Sequence, residues 1–333
     1  MNSLRVCITD VTDPWFNLAT EDWLFREADP DGHILYLWRN APTVVIGRYQ
    51  NPWAECDLRA MEAEGVLLSR RQSGGGAVFH DLGNTNFTFI SGRRDYSKER
   101  NSEIIIAALR TFGITAEASG RNDIVVDGKK VSGSAFKLSA HKAFHHGTLL
   151  INADLTQLLR YLTPDKQKLA AKGIASVSSR VANLADYEPS LNHEGLIEAV
   201  TNSFFSCYQD SCPVEHLDHS TLYDIPHLRQ YYDFMRDWEW RFGRTPSFTH
   251  QLSRRFDWGS MELLIKADKG IISGVTIHSD TLYPELVELL ESLLTGIPYA
   301  HTSAAECRNR IPGELPFPRE VIDEALEWII SEL

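Results

Sequence analysis

RRQSGGGAVFHDLGNTNFTF, residues 70–89, places two arginines before three consecutive glycines, and strand-forming residues follow on both sides of a DLGN turn. Glycines can adopt positive φ and let a backbone approach a ligand closely, and the amides of such a run can form an anion-binding concavity. The planar guanidinium of arginine is well suited to binding phosphate or carboxylate groups. The stretch predicts an anion-binding loop that leads into a β-hairpin. The alternative is a flexible approach to a hairpin with two solvated arginines.

Two nucleotide-binding motifs are excluded at this position. No Gly-Lys-Ser/Thr follows the glycines, so the loop is not a Walker A loop, and the spacing is not that of a Gly-x-Gly-x-x-Gly fingerprint. The residues after the glycines favour a strand rather than a helix N-terminus.

Length, charge and cysteine usage limit the class of protein. The 333 residues favour two domains. The net charge of −12 disfavours a nucleic-acid partner, and no apolar run approaches the roughly 20 residues of a membrane span. The N-terminal residues contain no apolar core of a signal peptide, so we expect a cytoplasmic protein without a membrane partner. Five scattered cysteines form no CxxC pair and are expected to be reduced thiols: Cys7, Cys56, Cys207, Cys212 and Cys307.

The pattern of elements changes once along the chain. Strand patterns dominate residues 33–152 and helical patterns residues 154–237, and the turn-rich segment RFGRTPSFTH follows at 241–250. Strands and helices then restart. We therefore predict a large domain at 1–243, a linker at 244–250 and a small α+β domain at 251–333.

A second informative stretch is RNDIVVDGKKVSGSAF, residues 121–136. Its Asp-Gly pair predicts a hairpin turn, and Lys129 and Lys130 then point to opposite faces of the return strand. One of them is expected in solvent and the other toward the sheet interior or a pocket, where a lysine needs an anionic partner. Gly133 in the same strand is typical of close approach by a ligand. The alternative is two ordinary surface lysines.

Three histidines on predicted strands, His80, His145 and His146, raise the question of a metal site. No further ligand follows these histidines at a spacing typical of a metal site. They are predicted to be strand-end or pocket-wall residues.

Several segments together closely resemble the bacterial lipoate–protein ligase A family: RRQSGGGAVFHDLGN, GRNDIVV…KKVSGSA, FHHGTLLIN, KLAAKGIASVSSRVANL, DPWFNLATED and TVVIGRYQNPW. The resemblance covers nearly the whole chain. It implies an α/β (α+β) catalytic domain with a mixed, largely antiparallel sheet like that of biotin and lipoate ligases, plus a small C-terminal α+β domain. It also implies that ATP, with Mg²⁺, activates lipoate to lipoyl-AMP. The lipoyl group then passes to one lysine of apo lipoyl domains of 2-oxoacid dehydrogenases or of glycine-cleavage H protein.

The resemblance assigns roles by position. Lys130 matches the catalytic lysine that contacts both ATP and lipoate. The other positions matched to ATP contacts are Arg71, Gly76, Ala77, Val78 and Phe79. Those matched to lipoate or lipoyl-AMP contacts are Arg71, Ser73, Gly74, Gly75, Lys130 and Gly173, the last within a segment, 172–184, that covers the adenylate. Asn122 and Asp123 match a segment near the nucleotide, and Asp123 is a candidate magnesium ligand.

Other functions on related scaffolds remain alternatives. Octanoyl transfer needs a cysteine nucleophile paired with a base, and no cysteine lies near HHGTLLIN. Lipoyl transfer without activation is a related alternative, but the matches described above give no reason to drop the activation step. Biotin ligation is a second alternative, although the loop differs from the basic glycine loop of biotin ligases. A non-catalytic lipoate-binding protein is a third, and the presence of Lys130 argues against it.

Overall fold

The structure, a computed structural model, describes residues 3–120, 122–162, 181–244, 248–279, 281 and 283–333. The chain divides into two compact units, Met1–Arg241 and Phe242–Leu333. In the described part of the chain, no helix combines the length and apolar character that crossing a membrane requires.

The first unit contains eleven strands among the described residues. They are β1 (Leu4–Ile8), β2 (His33–Trp38), β3 (Thr43–Ile46), β4 (Leu67–Arg70), β5 (Val78–His80), β6 (Asn84–Gly92), β7 (Glu117–Ser119), β8 (Asp123–Val126), β9 (Lys129–Leu138), β10 (Lys142–Leu150) and β11 (Val214–His216). Its described helices are α1 (Pro14–Glu27), α2 (Pro52–Glu55), α3 (Leu58–Ala63), α4 (Lys98–Arg110), α5 (Leu155–Tyr161), α6 (His193–Tyr208), α7 (Thr221–Asp224) and α8 (Pro226–Arg236).

The main sheet has eight strands in the order β11-β1-β2-β6-β10-β9-β8-β7. The two pairs that β1 makes, with β11 and β2, are parallel, and the remaining five pairs are antiparallel. The predicted mixed, largely antiparallel sheet is therefore confirmed.

A second sheet, in the order β4-β3-β5, carries the segment on either side of the three glycines. The sequence predicts that β5 and β6 form a hairpin, and this prediction is wrong, because β5 pairs with β3. Strand β6 is buried along its whole length between β2 and β10, which occupy both of its edges. No edge of β6 is left for β5, so the DLGN turn connects two sheets.

Side-chain alternation gives the main sheet a core on each face. On β2, Leu35 and Leu37 belong to the cluster that includes residues of α4 and α6, whereas Ile34 and Tyr36 belong to the cluster that includes residues of α1 and α8. The main sheet therefore lies between two helical layers.

Helix α1 begins as the sequence predicts. The side chain of Asp13 accepts hydrogen bonds from the amides of Trp15 and Phe16, and Pro14 occupies the first turn. Such a cap satisfies amides that a helix start leaves without partners. The cap fixes where α1 starts, and thereby which of its side chains face the sheet.

The second unit has three antiparallel strands and three α-helices among its described residues. They are β12 (Phe248–Phe256), β13 (Gly259–Asp268), β14 (Ile271–Ser279), α9 (Pro284–Leu294), α10 (Ala304–Asn309) and α11 (Arg319–Glu332). Residues 248–250, predicted as part of the linker, are the first residues of β12. Their backbone pairs with residues 265–267 of β13, a long-range contact that the turn-like local sequence does not indicate.

The two adjacent histidines of β10 point to opposite faces of the sheet. His145 is buried against the rings of Phe87, Phe89 and Phe136, and neither of its ring nitrogens has a partner among the described residues. Burial, and then the charges of His146 and Lys98, lower the pKa of His145 from its ordinary 6.5 to about 3. His145 is therefore a neutral part of the core.

We predict that replacing His145 by Phe makes the protein more resistant to acid. Between pH 6.5 and pH 3 the unfolded chain binds a proton at His145 that the folded chain does not, so acidification destabilises the folded state. At pH 5 this costs about 2 kcal/mol, which His145→Phe removes. Urea unfolding of both proteins at pH 7 and pH 5 measures the difference. An equal loss of stability on acidification in both proteins would contradict this account of His145.

Candidate functional site

The loop between β4 and β5, residues 73–77, is called the glycine loop below. Both arginines before it are buried, so the alternative of two solvated arginines is wrong. Arg70 is 0% exposed. Its guanidinium donates hydrogen bonds to the backbone carbonyls of Gly47, Arg48, Gln50, Trp240 and Arg241. Burial lowers the pKa of Arg70 to about 10, so it remains a cation at neutral pH.

Arg71 lies directly beneath the glycine loop and is 5% exposed. Its Nη2 donates to the carbonyls of Gly74 at 2.7 Å and Gly76 at 2.8 Å, and its Nε donates to Ser73 Oγ at 3.1 Å. Its Nη1 donates to the carbonyl of Val45 in β3 at 3.0 Å. Burial lowers the pKa of Arg71 to about 10, which leaves it charged at neutral pH. One buried cation therefore holds the loop to the neighbouring strand.

The direction of these carbonyls determines the direction of the loop amides. A trans peptide group is planar, with its N–H opposite its carbonyl. Because the carbonyls of Gly74 and Gly76 point at Arg71, the amides of Gly75 and Ala77 point away from it. Among the described residues, neither amide has a hydrogen-bond partner. The three glycines are exposed, so the loop offers two outward donors of the kind that bind anions.

Gly47, at the end of β3, is a residue of the site that the sequence does not single out. A Cβ added to Gly47 would lie 2.2 Å from the carbonyl oxygen of Gly75, closer than any real contact. Gly75 itself has φ +94°, a conformation that other residues rarely adopt. The fold of the glycine loop therefore requires glycine at 47 as well as at 75.

The remaining residues predicted to contact ATP lie at the start of β5. Ala77 and Val78 are half-buried and lead into Phe79, whose buried ring packs against Tyr161 with centroids 5.5 Å apart. Phe79 is therefore held by the protein core. Contact of these residues with ATP stays a prediction.

The predicted hairpin at Asp127-Gly128 is confirmed, with φ of 50° and 74° at the two turn residues. Lys129 is exposed. Lys130 is half-buried, and its Nζ lies 2.8 Å from Asp123 Oδ1 on the paired strand β8. A Cβ on Gly133 would lie 2.7 Å from that ammonium, so the missing side chain leaves the space that the ammonium occupies.

The glycine loop and the Lys130 ammonium lie on the same face of strand β9. A Cβ placed on Gly75 would be 4.0 Å from Cβ of Ala135. Ala135 and Gly133 are two residues apart on one strand, so they share a face at a separation of about 7 Å. The glycine loop and the cation of Lys130 therefore lie beside one surface of β9, which can hold a ligand with separated negative charges.

The described end of the segment predicted to cover the adenylate lies beside Lys130. Val181 forms a parallel bridge with Lys130, and the amide of Ala182 donates to the carbonyl of Lys130 at 3.0 Å. The structure thus brings Val181 and Ala182 of the segment 172–184 to Lys130. Gly173 lies outside the described residues.

A buried set of polar groups supports the loop from the sheet, and we call it the Glu21–His146–Ser73 network. Ser73 Oγ lies 2.7 Å from His146 Nε2, and His146 Nδ1 lies 2.7 Å from Glu21 Oε1. Thr88 donates to the same carboxylate oxygen at 2.7 Å. The sequence predicts His146 only as a wall residue and gives no indication of Glu21, which lies 125 positions away.

The candidate magnesium ligand, Asp123, is engaged with Lys130. Within the part of the chain that the structure describes, no three His, Cys, Asp or Glu side chains come together as a metal site would need. Protein-held Mg²⁺ sites use oxygen ligands, chiefly carboxylates. A single carboxylate already paired with an ammonium does not fit a resident Mg²⁺.

We predict that Gly47→Ala displaces the glycine loop. The new methyl group overlaps the Gly75 carbonyl, so the loop must leave Arg71 or β3 must move. Hydrogen–deuterium exchange of the peptide covering residues 70–80 should become at least about tenfold faster. Gly274→Ala is the control, because nothing lies within 4 Å of its added Cβ. Unchanged exchange in a folded Gly47→Ala protein would show that the close packing is not needed.

Comparison with known proteins identifies relatives along the whole chain. Residues 13–205 match the lipoyl protein ligase A/B catalytic domain, and residues 245–329 match the bacterial lipoate protein ligase C-terminus. The chain is 50% identical over 335 residues to a lipoate-protein ligase A of Psychrobacter cryohalolentis, with 99% of each protein covered.

Two solved structures have similar folds. P. falciparum LipL1, solved in complex with lipoate, is 33% identical, with 99% of this chain and 100% of that chain covered and a TM-score of 0.65. The bi-partite lipoate protein ligase of Thermoplasma acidophilum, studied with its E2 lipoyl domain, is 26% identical, with 72% of this chain and 96% of that chain covered and a TM-score of 0.64. The chain described above therefore belongs to the lipoyl protein ligase A/B family, with that family's catalytic domain followed by the bacterial C-terminal domain.

Proposed function

We propose that this ligase uses ATP to convert lipoate to lipoyl-AMP and then transfers the lipoyl group to a lysine of an acceptor protein. The observation that carries the proposal is the shared surface of the glycine loop and Lys130. The loop offers amide donors and Lys130 offers an ammonium, and a carboxylate meeting a phosphate needs donors of both kinds. The named relatives, a lipoate-protein ligase A and a ligase solved with lipoate, support lipoate as the acid.

In the first half-reaction, a carboxylate oxygen of lipoate attacks the α-phosphorus of ATP, and pyrophosphate leaves. Both reactants are anions, so they repel each other until a cation lies between them. The Lys130 ammonium can exchange its partner Asp123 for the incoming carboxylate and α-phosphate. Its benefit grows as negative charge builds on the phosphoryl oxygens in the transition state. Arg71 contributes by holding the amides of Gly75 and Ala77 toward the ligand.

Magnesium enters this scheme as part of the nucleotide substrate. Mg²⁺ keeps several water ligands and binds the phosphates of ATP with few protein groups. This agrees with the engagement of Asp123 with Lys130. Positioning of the nucleotide therefore depends on the chain's own donors.

In the second half-reaction, the ε-amine of the acceptor lysine attacks the acyl carbon of lipoyl-AMP, an amide forms and AMP leaves. We propose lipoyl domains of 2-oxoacid dehydrogenases and glycine-cleavage H protein as acceptors. The relative from T. acidophilum, studied with its E2 lipoyl domain, supports the first of these. The adenylate hydrolyses if water reaches it. Of the segment 172–184 that is matched to its cover, Val181 and Ala182 lie beside Lys130.

The second candidate function is acyl transfer without activation, through a thioester on an enzyme cysteine. The described thiols are poorly suited to it. Burial raises the pKa of Cys7 and of Cys56 to about 12, and it also raises the pKa of Cys207, Cys212 and Cys307. A thiolate is the nucleophilic form, so none of these groups is activated.

We predict that Lys130→Ala abolishes most of the activation step. The variant removes a cation that contacts the transition state, so lipoate-dependent pyrophosphate release should fall by at least about 100-fold. Lys129→Ala, one residue away on the exposed face, is the matched control and should stay within about threefold. Near-normal release by folded Lys130→Ala protein would refute the role of Lys130.

We also predict that no thiol takes part in catalysis. A variant with all five cysteines replaced by Ser or Ala should still lipoylate an apo lipoyl domain in the presence of ATP, lipoate and Mg²⁺. Intact-mass analysis of the acceptor measures the product. Loss of transfer that is restored by returning Cys207 or Cys212 alone would instead support transfer through a thioester.

A further inference from the structure

We propose that the Glu21–His146–Ser73 network is a positioning device that sets the conformation of the glycine loop for activation, an inference that rests on the proposed function. All three side chains are buried, with exposed fractions of 1%, 6% and 2%. They come from α1, β10 and the loop, and hydrogen bonds of 2.7 Å join each to the next. No residue of this network takes part in the ion pair of Lys130 with Asp123.

The hydrogen bonds fix where the protons of the network lie. A carboxylate oxygen only accepts, so Nδ1 of His146 carries the proton that it shares with Glu21 Oε1. Burial lowers the pKa of Arg71, and the negative charge of Glu21 opposes part of that lowering. Because Ser73 Oγ already accepts from Nε of Arg71, we assign Nε2 of His146 as an acceptor to which the hydroxyl of Ser73 donates. The serine proton is then directed into the protein.

This order of groups is also that of a Ser–His–acid triad, but the environment of Ser73 opposes a nucleophilic role. Its Oγ accepts a hydrogen bond from Nε of the Arg71 guanidinium at 3.1 Å, which lowers the nucleophilicity of that oxygen. Its 2% exposure also leaves no path for a carbonyl carbon to reach it. The triad geometry therefore orients the serine instead of activating it.

Orientation of Ser73 controls the rest of the loop. Its backbone carbonyl accepts from the amide of Arg48 at 2.9 Å, while its side chain is held between His146 and Arg71. Both ends of the residue are thus fixed immediately before Gly74, where the backbone becomes free to rotate. Breaking the network lets the carbonyl of Gly74 leave Arg71, and the amide of Gly75 then loses its outward direction.

The first test compares two adjacent histidines of β10. His146→Phe removes both hydrogen bonds of the network and should lower kcat/KM for lipoate-dependent pyrophosphate release by roughly 10- to 100-fold. His145→Phe is the matched control, because it changes the same residue type on the opposite face without removing a hydrogen bond, and it should stay within about threefold. Equal activity of the two folded variants overturns the proposal.

The second test separates positioning from a general loss of stability. Glu21→Ala removes the acceptor of His146 and should lose about as much activity as His146→Phe, whereas Glu21→Gln keeps an oxygen acceptor and should recover most of it. The double variant Ser73→Ala/His146→Phe should be as active as the less active of its two single variants, since both substitutions act through the same serine. The proposal is contradicted if the activity losses of the two single variants multiply in the double variant. It is also contradicted if Glu21→Gln and Glu21→Ala have the same activity.

The third test uses the wild-type protein and does not depend on activity. In a ¹⁵N spectrum of histidine-labelled protein at pH 7, His146 should show a protonated Nδ1 and an unprotonated Nε2, and Ser73→Ala should shift the Nε2 signal. A protonated Nε2 overturns the proton assignment. If the wild-type chain released no pyrophosphate with lipoate and ATP, the proposed function would fail, while this spectrum would still report on the network.

Discussion

The candidate site depends on one buried interaction, the guanidinium of Arg71 against the carbonyls of Gly74 and Gly76. Burial of a charge is costly unless its hydrogen bonds are satisfied, and the loop supplies most of the acceptors that Arg71 needs. The same bonds remove the freedom that makes consecutive glycines costly to order. The loop and the arginine are therefore each unstable without the other. As a pair they leave the amides of Gly75 and Ala77 facing outward.

Strand β10 shows how one element serves the core and the site together. His145 lies among phenylalanine rings on the face packed against α4 and α6, while His146 lies on the opposite face beneath the glycine loop. A shift of register by one residue would exchange these environments. The pairing of β10 with both β6 and β9 prevents that shift. Packing of the main sheet thus determines which histidine can reach Ser73.

Local sequence patterns predicted the parts of the site that local chemistry determines. The Asp-Gly turn placed Lys130 on the return strand of a hairpin, and the glycines indicated a loop suited to anions. Glu21 and Gly47 could not be found in this way, because their partners His146 and Gly75 are distant in sequence and meet only through the sheets. The error over β5 has the same origin, because that prediction assumed that neighbouring strands pair, whereas β5 pairs with β3. The burial of Arg70 likewise depends on distant partners, the carbonyls of Trp240 and Arg241.

The central claim is that the outward amides of the glycine loop bind the anionic groups of the ligand. Amide ¹H–¹⁵N spectra of the full-length protein, recorded with and without a non-hydrolysable lipoyl-adenylate analogue, test it most directly. The account predicts downfield shifts of the Gly75 and Ala77 amide protons on binding, as expected when an anion accepts their hydrogen bonds, with no change at the exposed turn glycine Gly65. Saturating binding that leaves the Gly75 and Ala77 signals unmoved would contradict it.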